Sequence, residues 1–276
     1  MTAEEMSGYL VENYDSFKNY FSIKLWLIDY PIFEMAAAYA ICEKKVVVTS
    51  FDAVLNKLKA IRYPVDLPNA YYVIAAELDA HFENPVSEVT KLEEIHKRIK
   101  LEIKADNKRK LGTLSEMGIY GVAFKELRTG ETFSLAKGKE IQSGIDYLEK
   151  DYGKEILNTL AQVGFKKGKE LDVLVSFIIA QAFKKDEVDL GLYVQQVTDF
   201  KNHLENNNIN VSKNTSSYPI IGRIFDLNFN ETDAQMIGQL SKIMRDSKIK
   251  TPEKQRNDYS AFRVVHDWKE KLQDDF

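Results

Sequence analysis

Covalent crosslinks, membrane spans and export signals are what this sequence most clearly lacks. Cys42 is the single cysteine in 276 residues, which excludes an internal disulfide framework. The longest apolar run, residues 32–42, is interrupted by Glu34 and is too short to cross a bilayer. The first residues do not show the basic, apolar and small-residue succession of a signal peptide. We therefore expect a soluble, cytoplasmic protein without membrane contact.

A strong excess of one charge is also absent. The formal net charge of −4 argues against a protein that coats nucleic acid over its whole surface. Hydrophobic residues make up 44% of the chain and charged residues 29%, a composition too apolar for a disordered protein. A chain of this length can bury one large hydrophobic core or two modest ones.

Two helical hairpins dominate the apolar pattern, one at residues 71–99 and one at residues 218–244. Each shows two apolar stripes at helical spacing with a short turn between them. The stripes are Ile74, Leu78 and Phe82, then Val89, Leu92, Ile95 and Ile99 in the first hairpin, and Ile221, Phe225 and Phe229, then Ile237, Leu240 and Ile243 in the second.

Capping residues predict where several helices begin. Thr2 and Glu5 fit a capping box, in which each side chain accepts a hydrogen bond from the other residue's backbone N–H. Thr232 and Gln235 fit the same pattern in the second hairpin. Pro85 suits the first position of a helix, where its missing N–H costs nothing.

The similarity between the hairpins extends upstream. The small and apolar run at residues 35–40 matches the run at 177–182, and YLVENY at residues 9–14 matches YLEKDY at 147–152. The matches keep their order at a separation of roughly 140–150 residues, which is typical of a duplicated helical unit.

We therefore predict an all-α fold, a two-half array of αα-hairpins with internal duplication. The N-terminal half covers residues 1–110 and the C-terminal half, with a terminal helix, covers residues 140–276. Residues 111–139 form the connecting segment.

The connecting segment is the least regular part of the chain. Three alternatives stay open for its structure. They are a helix at residues 115–128 that Thr129 and Gly130 end, a hairpin that turns at the same two residues, and a loop. It contains Gly112, Gly118, Gly121, Gly130 and Gly138. These glycines lack the spacing and the preceding strand of a phosphate-binding loop, so we expect no nucleotide site and predict no cofactor.

Two short motifs are shared with known proteins. A Gly-Phe-Lys-Lys-Gly turn at residues 164–168 precedes an apolar, alanine-containing helix, and Asn-Tyr-Asp-Ser-Phe-Lys occupies residues 13–18. In these motifs the chain resembles an uncharacterised family of bacterial all-helical proteins. The resemblance implies a helical fold, but it brings no activity and therefore no functional residue.

The best candidate for a metal site is the group Glu77, His81, Glu93 and His96 in the first hairpin. Glu77 and His81 are spaced i, i+4, Glu93 and His96 are spaced i, i+3, and two antiparallel helices with such pairs can converge on a metal. Helical di-iron bundles need a second Glu-x-x-His and two further carboxylates, which the second half does not supply. His96 also lies on the apolar stripe, where a hydrogen-bonded core histidine is the competing interpretation.

Two weaker acidic candidates lie elsewhere. The dipeptide at His266 and Asp267 resembles the metal-binding dipeptide of helical phosphohydrolases, but the further histidine and aspartate of such a site cannot be identified. Asp79 and Asp226 match between the halves, which helix-end geometry explains more simply than paired acid catalysis.

A basic stripe at residues 97–110 is a candidate polyanion-binding surface. Clustered lysine and arginine attract phosphates, but the stripe has no recognition motif or interleaved aromatic residues, and nearby glutamates dilute it. The stripe consists of Lys97, Arg98, Lys100, Lys104, Lys108, Arg109 and Lys110.

These patterns favour a non-enzymatic helical scaffold that binds another macromolecule, with a protein as the expected partner. A metal-dependent helical enzyme that uses the first hairpin is the alternative. Nucleic-acid binding through the basic stripe is the third hypothesis.

Overall fold

The computed structural model describes residues 1–21, 29–105, 115–184, 189–211, 215–251 and 257–274, and it confirms the all-α fold. These residues contain thirteen α-helices, a 3-10 turn at Thr215–Ser217 and no β-strand. The helices are α1 (Ala3–Tyr20), α2 (Asp29–Ile41), α3 (Val48–Ala60), α4 (Ala70–His81), α5 (Pro85–Ala105), α6 (Glu116–Thr129), α7 (Leu135–Gln162), α8 (Lys169–Lys184), α9 (Leu190–Asn206), α10 (Tyr218–Ile221), α11 (Ile224–Leu227), α12 (Glu231–Asp246) and α13 (Asn257–Asp274).

The N-terminal half is built around the alanine-rich helix α2, which packs against α1 and α4. Ala36, Ala38 and Ala40 are buried, and their small side chains let the neighbouring helices approach closely. The predicted capping box begins α1. The backbone N–H of Glu5 donates to Thr2 Oγ1 at 3.2 Å, and the Thr2 N–H donates to Glu5 Oε2 at 2.7 Å.

The C-terminal half pairs its helices in similar combinations. Helix α7 packs on α8 as α1 packs on α2, α8 packs on α10 as α2 packs on α4, and α9 packs on α12 as α3 packs on α5. This packing agrees with an internal duplication. The structure does not confirm the duplication, however, because two short helices stand where the first half has the continuous helix α4.

The prediction of one helix from the apolar stripe at residues 221–229 is wrong. The chain forms the short helices α10 and α11, with Gly222 directly after the first of them and Asn228 in the left-handed region (φ 48°) after the second. Gly222 lies against α8, where an added Cβ would be 2.7 Å from Phe177 side-chain atoms. Because glycine also has a low helix propensity, the helix is interrupted here.

The capping box that begins α12 is also not the one that the sequence pattern predicted. Asn230 Oδ1 accepts hydrogen bonds from the N–H groups of Thr232 (2.9 Å) and Asp233 (3.2 Å), and Asp233 Oδ2 accepts one from the Asn230 N–H at 2.7 Å. The asparagine satisfies two free N–H groups at once, so the helix begins before Thr232 can act as its cap. The predicted pair with Gln235 is therefore wrong.

In its described part, residues 115–139, the connecting segment forms a helix, α6, and not a hairpin, and residues 111–114 lie outside the described residues. Ser115 Oγ accepts from the Gly118 N–H at 3.0 Å, and Gly130 ends the helix in the left-handed conformation (φ 72°) while its N–H donates to the Glu126 carbonyl at 2.8 Å. Helix α6 packs on α5, and residues 135–139 already belong to α7.

The terminal helix α13 joins the two halves, because it packs against α11 and α12 of its own half and α2 of the other. Helix α1 also packs against α12 across the same seam. None of the described helices combines the length and apolar character that a membrane span requires.

Candidate functional site

A cleft of ≈ 1130 Å³ opens along the seam between the halves. Helices α2, α4 and α6 form one side, and α8, α11 and α13 form the other, with the start of α7 at the edge. Its titratable side chains are Glu34, Glu77, His81, Lys125, Glu126, Arg128, Glu131, Lys137, Arg223, Asp226, Arg263, His266, Asp267, Glu270 and Asp274. The cleft is concave and has convergent polar groups, which makes it the candidate binding site of this fold.

Glu34 and Arg263 form an ion pair across the seam. Arg263 Nη1 lies 2.9 Å from Glu34 Oε1, and its Nε lies 3.7 Å from Asp267 Oδ2. Burial raises the pKa of Glu34, the positive charge of Arg263 opposes this rise, and the negative charge of Asp267 adds to it. The pair connects α2 with α13 at the cleft wall.

Glu77 of α4, which lines the cleft, forms a hydrogen-bonded acid pair with Tyr120 of α6. The buried Tyr120 hydroxyl donates a hydrogen bond to Glu77 Oε2. Burial raises the pKa of Glu77 to about 7; the Tyr120 hydrogen bond opposes the rise, and the charge of Glu34 adds to it. Burial and the charge of Glu77 raise the pKa of Tyr120 well above its ordinary range. Glu77 can therefore take up or release a proton near neutral pH, whereas Tyr120 keeps its hydrogen.

His81 follows Glu77 by one turn of α4. Its Nδ1 lies 2.9 Å from the Glu77 carbonyl oxygen, and because a carbonyl can only accept, Nδ1 carries the hydrogen. The ring packs edge-on against Phe124 with 5.2 Å between the ring centroids. Burial lowers the pKa of His81 to about 4, so the imidazole is neutral at physiological pH.

A second histidine, His266 of α13, is 3% exposed and stacks on Phe229. Its Nδ1 lies 2.8 Å from Asp267 Oδ1, a carboxylate oxygen that accepts the Nδ1 hydrogen. Nε2 is buried without a hydrogen-bond partner among the described residues. His266, Asp267 and Glu270 each offer a possible metal-ligating atom, and these atoms lie within 4.8 Å of one another.

The four residues of the predicted metal site separate into two environments. Glu77 and His81 line the cleft, whereas Glu93 pairs with Lys97 at 2.7 Å. His96 is fully buried, with Nδ1 2.8 Å from the Tyr63 hydroxyl and Nε2 2.9 Å from Glu116 Oε2. Their possible ligand atoms do not all lie within 4.8 Å of one another, as those of His266, Asp267 and Glu270 do. The hydrogen-bonded core histidine is the interpretation that fits His96.

The described part of the basic stripe is largely ion-paired. The pairs are Lys97–Glu93, Arg98–Glu102, Arg98–Glu126 and Lys100–Glu116. Lys104 is exposed on α5, and residues 108–110 lie outside the described residues. The local carboxylates offset the positive charge that a polyanion would meet.

Asp79 and Asp226 make corresponding hydrogen bonds in the two halves. Asp79 is buried and accepts from the hydroxyls of Tyr39 and Ser50, and Asp226 accepts from Gln181 Nε2 at 2.8 Å. Tyr39 and Gln181 occupy the same position in the matched runs of α2 and α8. The two aspartates thus act as hydrogen-bond acceptors between packed helices.

Sequence reasoning missed Glu34, Tyr120 and Arg263 as members of the site. The sequence does contain an indication of Glu34, because a charged residue inside the longest apolar run needs a buried partner. It contains no indication of Tyr120 or Arg263, since each contacts its carboxylate only through the packing of distant helices.

The geometry of the cleft is therefore the main guide to function. Comparison of the chain with protein-family models, with curated proteins and with solved structures gives no match.

Proposed function

We propose that the protein binds a small cationic molecule in the cleft and that Glu77 releases its proton to the solvent when this ligand binds. The observation that carries this proposal is a carboxyl group that lines the cleft and whose pKa is about 7. An ordinary glutamate is fully ionised at neutral pH, but a carboxyl group with this pKa can act as a general acid or a general base. Tyr120 positions it from α6.

The charge of the cleft favours a cationic ligand. Its carboxyl groups are Glu34, Glu77, Glu126, Glu131, Asp226, Asp267, Glu270 and Asp274, and its lysine and arginine residues are Lys125, Lys137, Arg128, Arg223 and Arg263. Carboxyl groups thus outnumber these cations, and several of the cations are already paired with carboxylates. A small amine fits this surplus of negative charge.

Proton exchange gives the binding a defined pH dependence. An ammonium group favours the ionised form of Glu77, so amine binding tightens as the pH rises through about 7 and levels off above it. The charged and titratable groups that act on Glu77 are His81 on its own helix, Glu34 on α2, Tyr120 on α6, and Arg263 and Asp267 on α13.

The test is calorimetric titration with 1,4-diaminobutane at pH 6, 7 and 8, in buffers with different ionisation enthalpies. The wild-type protein should bind the diamine more tightly at pH 8 than at pH 6 and release protons at pH 7. Glu77→Gln should lose both effects. The matched control is Glu94→Gln, since Glu94 is exposed on α5 outside the cleft.

Two results would contradict the proposal. One is a wild-type protein that binds neither the diamine nor methylammonium. The other is a pH dependence that is identical in Glu77→Gln and in Glu94→Gln.

The scaffold function is a second candidate, supported by the outer face of α7. None of the described side chains at residues 135–152 is buried, and Tyr147 is 68% exposed. The matched helix α1 is covered by α12 instead, which leaves its Tyr14 only 6% exposed. An exposed tyrosine face of this kind suits a protein partner.

The scaffold candidate is tested by comparing proteins captured from a host lysate. The double variant Tyr147→Ser with Tyr152→Ser should lose a stoichiometric partner that the wild type retains. Leu67→Ser is the control, because Leu67 is equally exposed but lies before α4. A partner retained equally by all three proteins would argue against this face.

A further inference from the structure

We propose that the ligand of the cleft is a primary amine and that its ammonium group lies beside Gly121, where α6 contributes a glycine and not a cation to a row of ion pairs with α13. The inference rests on the proposed function and deepens it, because it names the class of ligand and the residue that leaves room for it.

Two ion pairs join α6 to α13 across the cleft. Lys125 Nζ lies 3.9 Å from Glu270 Oε1, and Arg128 Nη2 contacts Asp274 Oδ2. All four residues line the cleft. Since the later residue of α6 contacts the later residue of α13, the two helices run in the same direction along the cleft.

The next position of this row has a carboxylate on α13 but no cation on α6. Gly121 lies four residues before Lys125, and residues at this spacing are neighbours on one face of a helix. Asp267 lies three residues before Glu270 and is likewise its neighbour. Gly121 and Asp267 both line the cleft. The space beside Gly121 is open, because an added Cβ would meet no atom within 4 Å beyond its adjacent residues and its own helix backbone.

Glu77 lies next to the same part of α6. Its Oε2 accepts a hydrogen bond from Tyr120, the residue before Gly121. One turn later on both helices, His81 packs against Phe124, so α4 also follows the direction of α6. The second oxygen of Glu77, Oε1, makes no hydrogen bond with another described side chain and is available to a ligand.

The charges around Glu77 leave a place for a cation. Three charged neighbours affect the pKa of this carboxyl group, namely Glu34, Arg263 and Asp267. Arg263 is the cation of the group, and its Nη1 already lies 2.9 Å from Glu34. When Glu77 is ionised, three carboxylates therefore share one guanidinium, and an added ammonium reduces the imbalance.

The acceptors of this site select a primary amine. An ammonium group has three N–H donors, and the oxygens of Glu77 and Asp267 can each accept one. A quaternary ammonium has no N–H donor, and proteins hold it instead within cages of aromatic rings. The wild type should therefore bind methylammonium and not tetramethylammonium.

The experiment is calorimetric titration of Gly121→Lys and Gly121→Met with 1,4-diaminobutane at pH 8. Lysine would place its own ammonium beside Glu77, and methionine would fill the space without a charge, so both should weaken diamine binding by about tenfold or more. Both variants should fold, since the space is open and each residue is a better helix former than glycine. Gly138→Lys is the matched control for added charge, because Gly138 also lines the cleft beside open space, and its loss should be much smaller.

A second measurement reads the same position without the ligand. In a carbon-13 NMR titration, Gly121→Lys should lower the pKa of Glu77 below its value in Gly121→Met, because a nearby ammonium favours the ionised carboxylate. An equal pKa in the two variants would overturn the inference.

The inference and the proposed function fail in different ways. Diamine binding with proton release that both Gly121 variants retain in full would overturn the position of the ammonium and leave the proposed function intact. Equal losses in Gly121→Lys and Gly138→Lys would also overturn it. A wild type that binds no amine would reject the proposed function, whereas a lower Glu77 pKa in Gly121→Lys would still support an ammonium site beside Gly121.

Discussion

Glu77 and His81 lie one turn apart on α4, and burial displaces their pKa values in opposite directions. The pKa of Glu77 rises from an ordinary 4.5 to about 7, and that of His81 falls from 6.5 to about 4. The folded state thus binds a proton at Glu77 that the unfolded chain releases, and it excludes one at His81 that the unfolded chain takes up. Between roughly pH 4.5 and 6.5 the two effects on stability have opposite slopes and cancel.

Glu77→Gln should reveal how His81 makes the free energy of unfolding depend on pH. The stabilising contribution of a histidine with a lowered pKa is present above 6.5 and is lost as the pH falls towards about 4. His81 should therefore contribute a rise of about 1.4 kcal/mol per pH unit to the free energy of unfolding of this variant over this window. Urea unfolding at half-unit pH steps measures the slope, and a curve parallel to that of the wild type would contradict it.

His81→Asn should reveal how Glu77 makes the free energy of unfolding depend on pH. The contribution of a carboxyl group with a raised pKa is complete below 4.5 and is lost as the pH rises through about 7. We expect Glu77 to contribute a fall of about 1.4 kcal/mol per pH unit to the free energy of unfolding between these values. The same urea series checks this, and a curve parallel to that of the wild type would contradict it.

His96→Gln should destabilise the fold without affecting the cleft. Glutamine cannot reproduce both of the ring's hydrogen bonds, to Tyr63 and Glu116, and leaving a buried partner unpaired costs about 1–3 kcal/mol. His203→Gln on α9 is the control and should change stability far less. Thermal unfolding and diamine titration together check the variant, and a loss of diamine binding in a folded protein would show that His96 does act on the cleft.

Asn230→Ala should destabilise the protein by about 1 kcal/mol, because two N–H groups at the start of α12 lose their acceptor. Thr232→Ala should have almost no effect, although the sequence pattern made Thr232 the cap. Chemical denaturation of the two variants side by side distinguishes them. A larger loss in Thr232→Ala would mean that α12 begins two residues later.

Gly222→Ala should destabilise the protein by about 1–3 kcal/mol, because the new methyl group would lie 2.7 Å from the Phe177 side chain. Gly8→Ala is the matched control. A Cβ at Gly8 meets no atom within 4 Å, and alanine is the better helix former, so this variant should gain about 0.5–1 kcal/mol. Equal stability of both variants would show that α8 and α10 separate easily.

Local sequence patterns predicted the features that local physics determines. Apolar spacing indicated most of the helices, and Ser115 and Gly130 marked the limits of the helix that was one of three alternatives for the connecting segment, because a cap acts within a few residues. The break at Gly222 could not be predicted, since the apolar stripe continues through it and only contact with Phe177 on another helix reveals the close approach. Asn230 and Thr232 are two residues apart and are both good N-cap residues, so the sequence alone could not decide which of them caps α12.

The cleft itself could not be predicted, because its members are distant in sequence. Arg263 and Glu34 are 229 residues apart, and Tyr120 and Glu77 are 43 apart. No periodicity relates such positions, so only the packing of α6 and α13 against the first half brings them together. Only two features of the sequence pointed to the cleft. They are the charged Glu34 within an apolar run and the adjacent residues His266 and Asp267.

The two halves contribute different residues to the cleft that lies between them. Where α4 has Glu77 and His81, the matched positions of the second half are Ile224 and Asn228, which cannot repeat the acid chemistry. Under the proposed function, the chain would therefore have one proton-releasing site and not two. Residues of both halves line the cleft, so a chain divided between α6 and α7 should bind the diamine only when both fragments are present together.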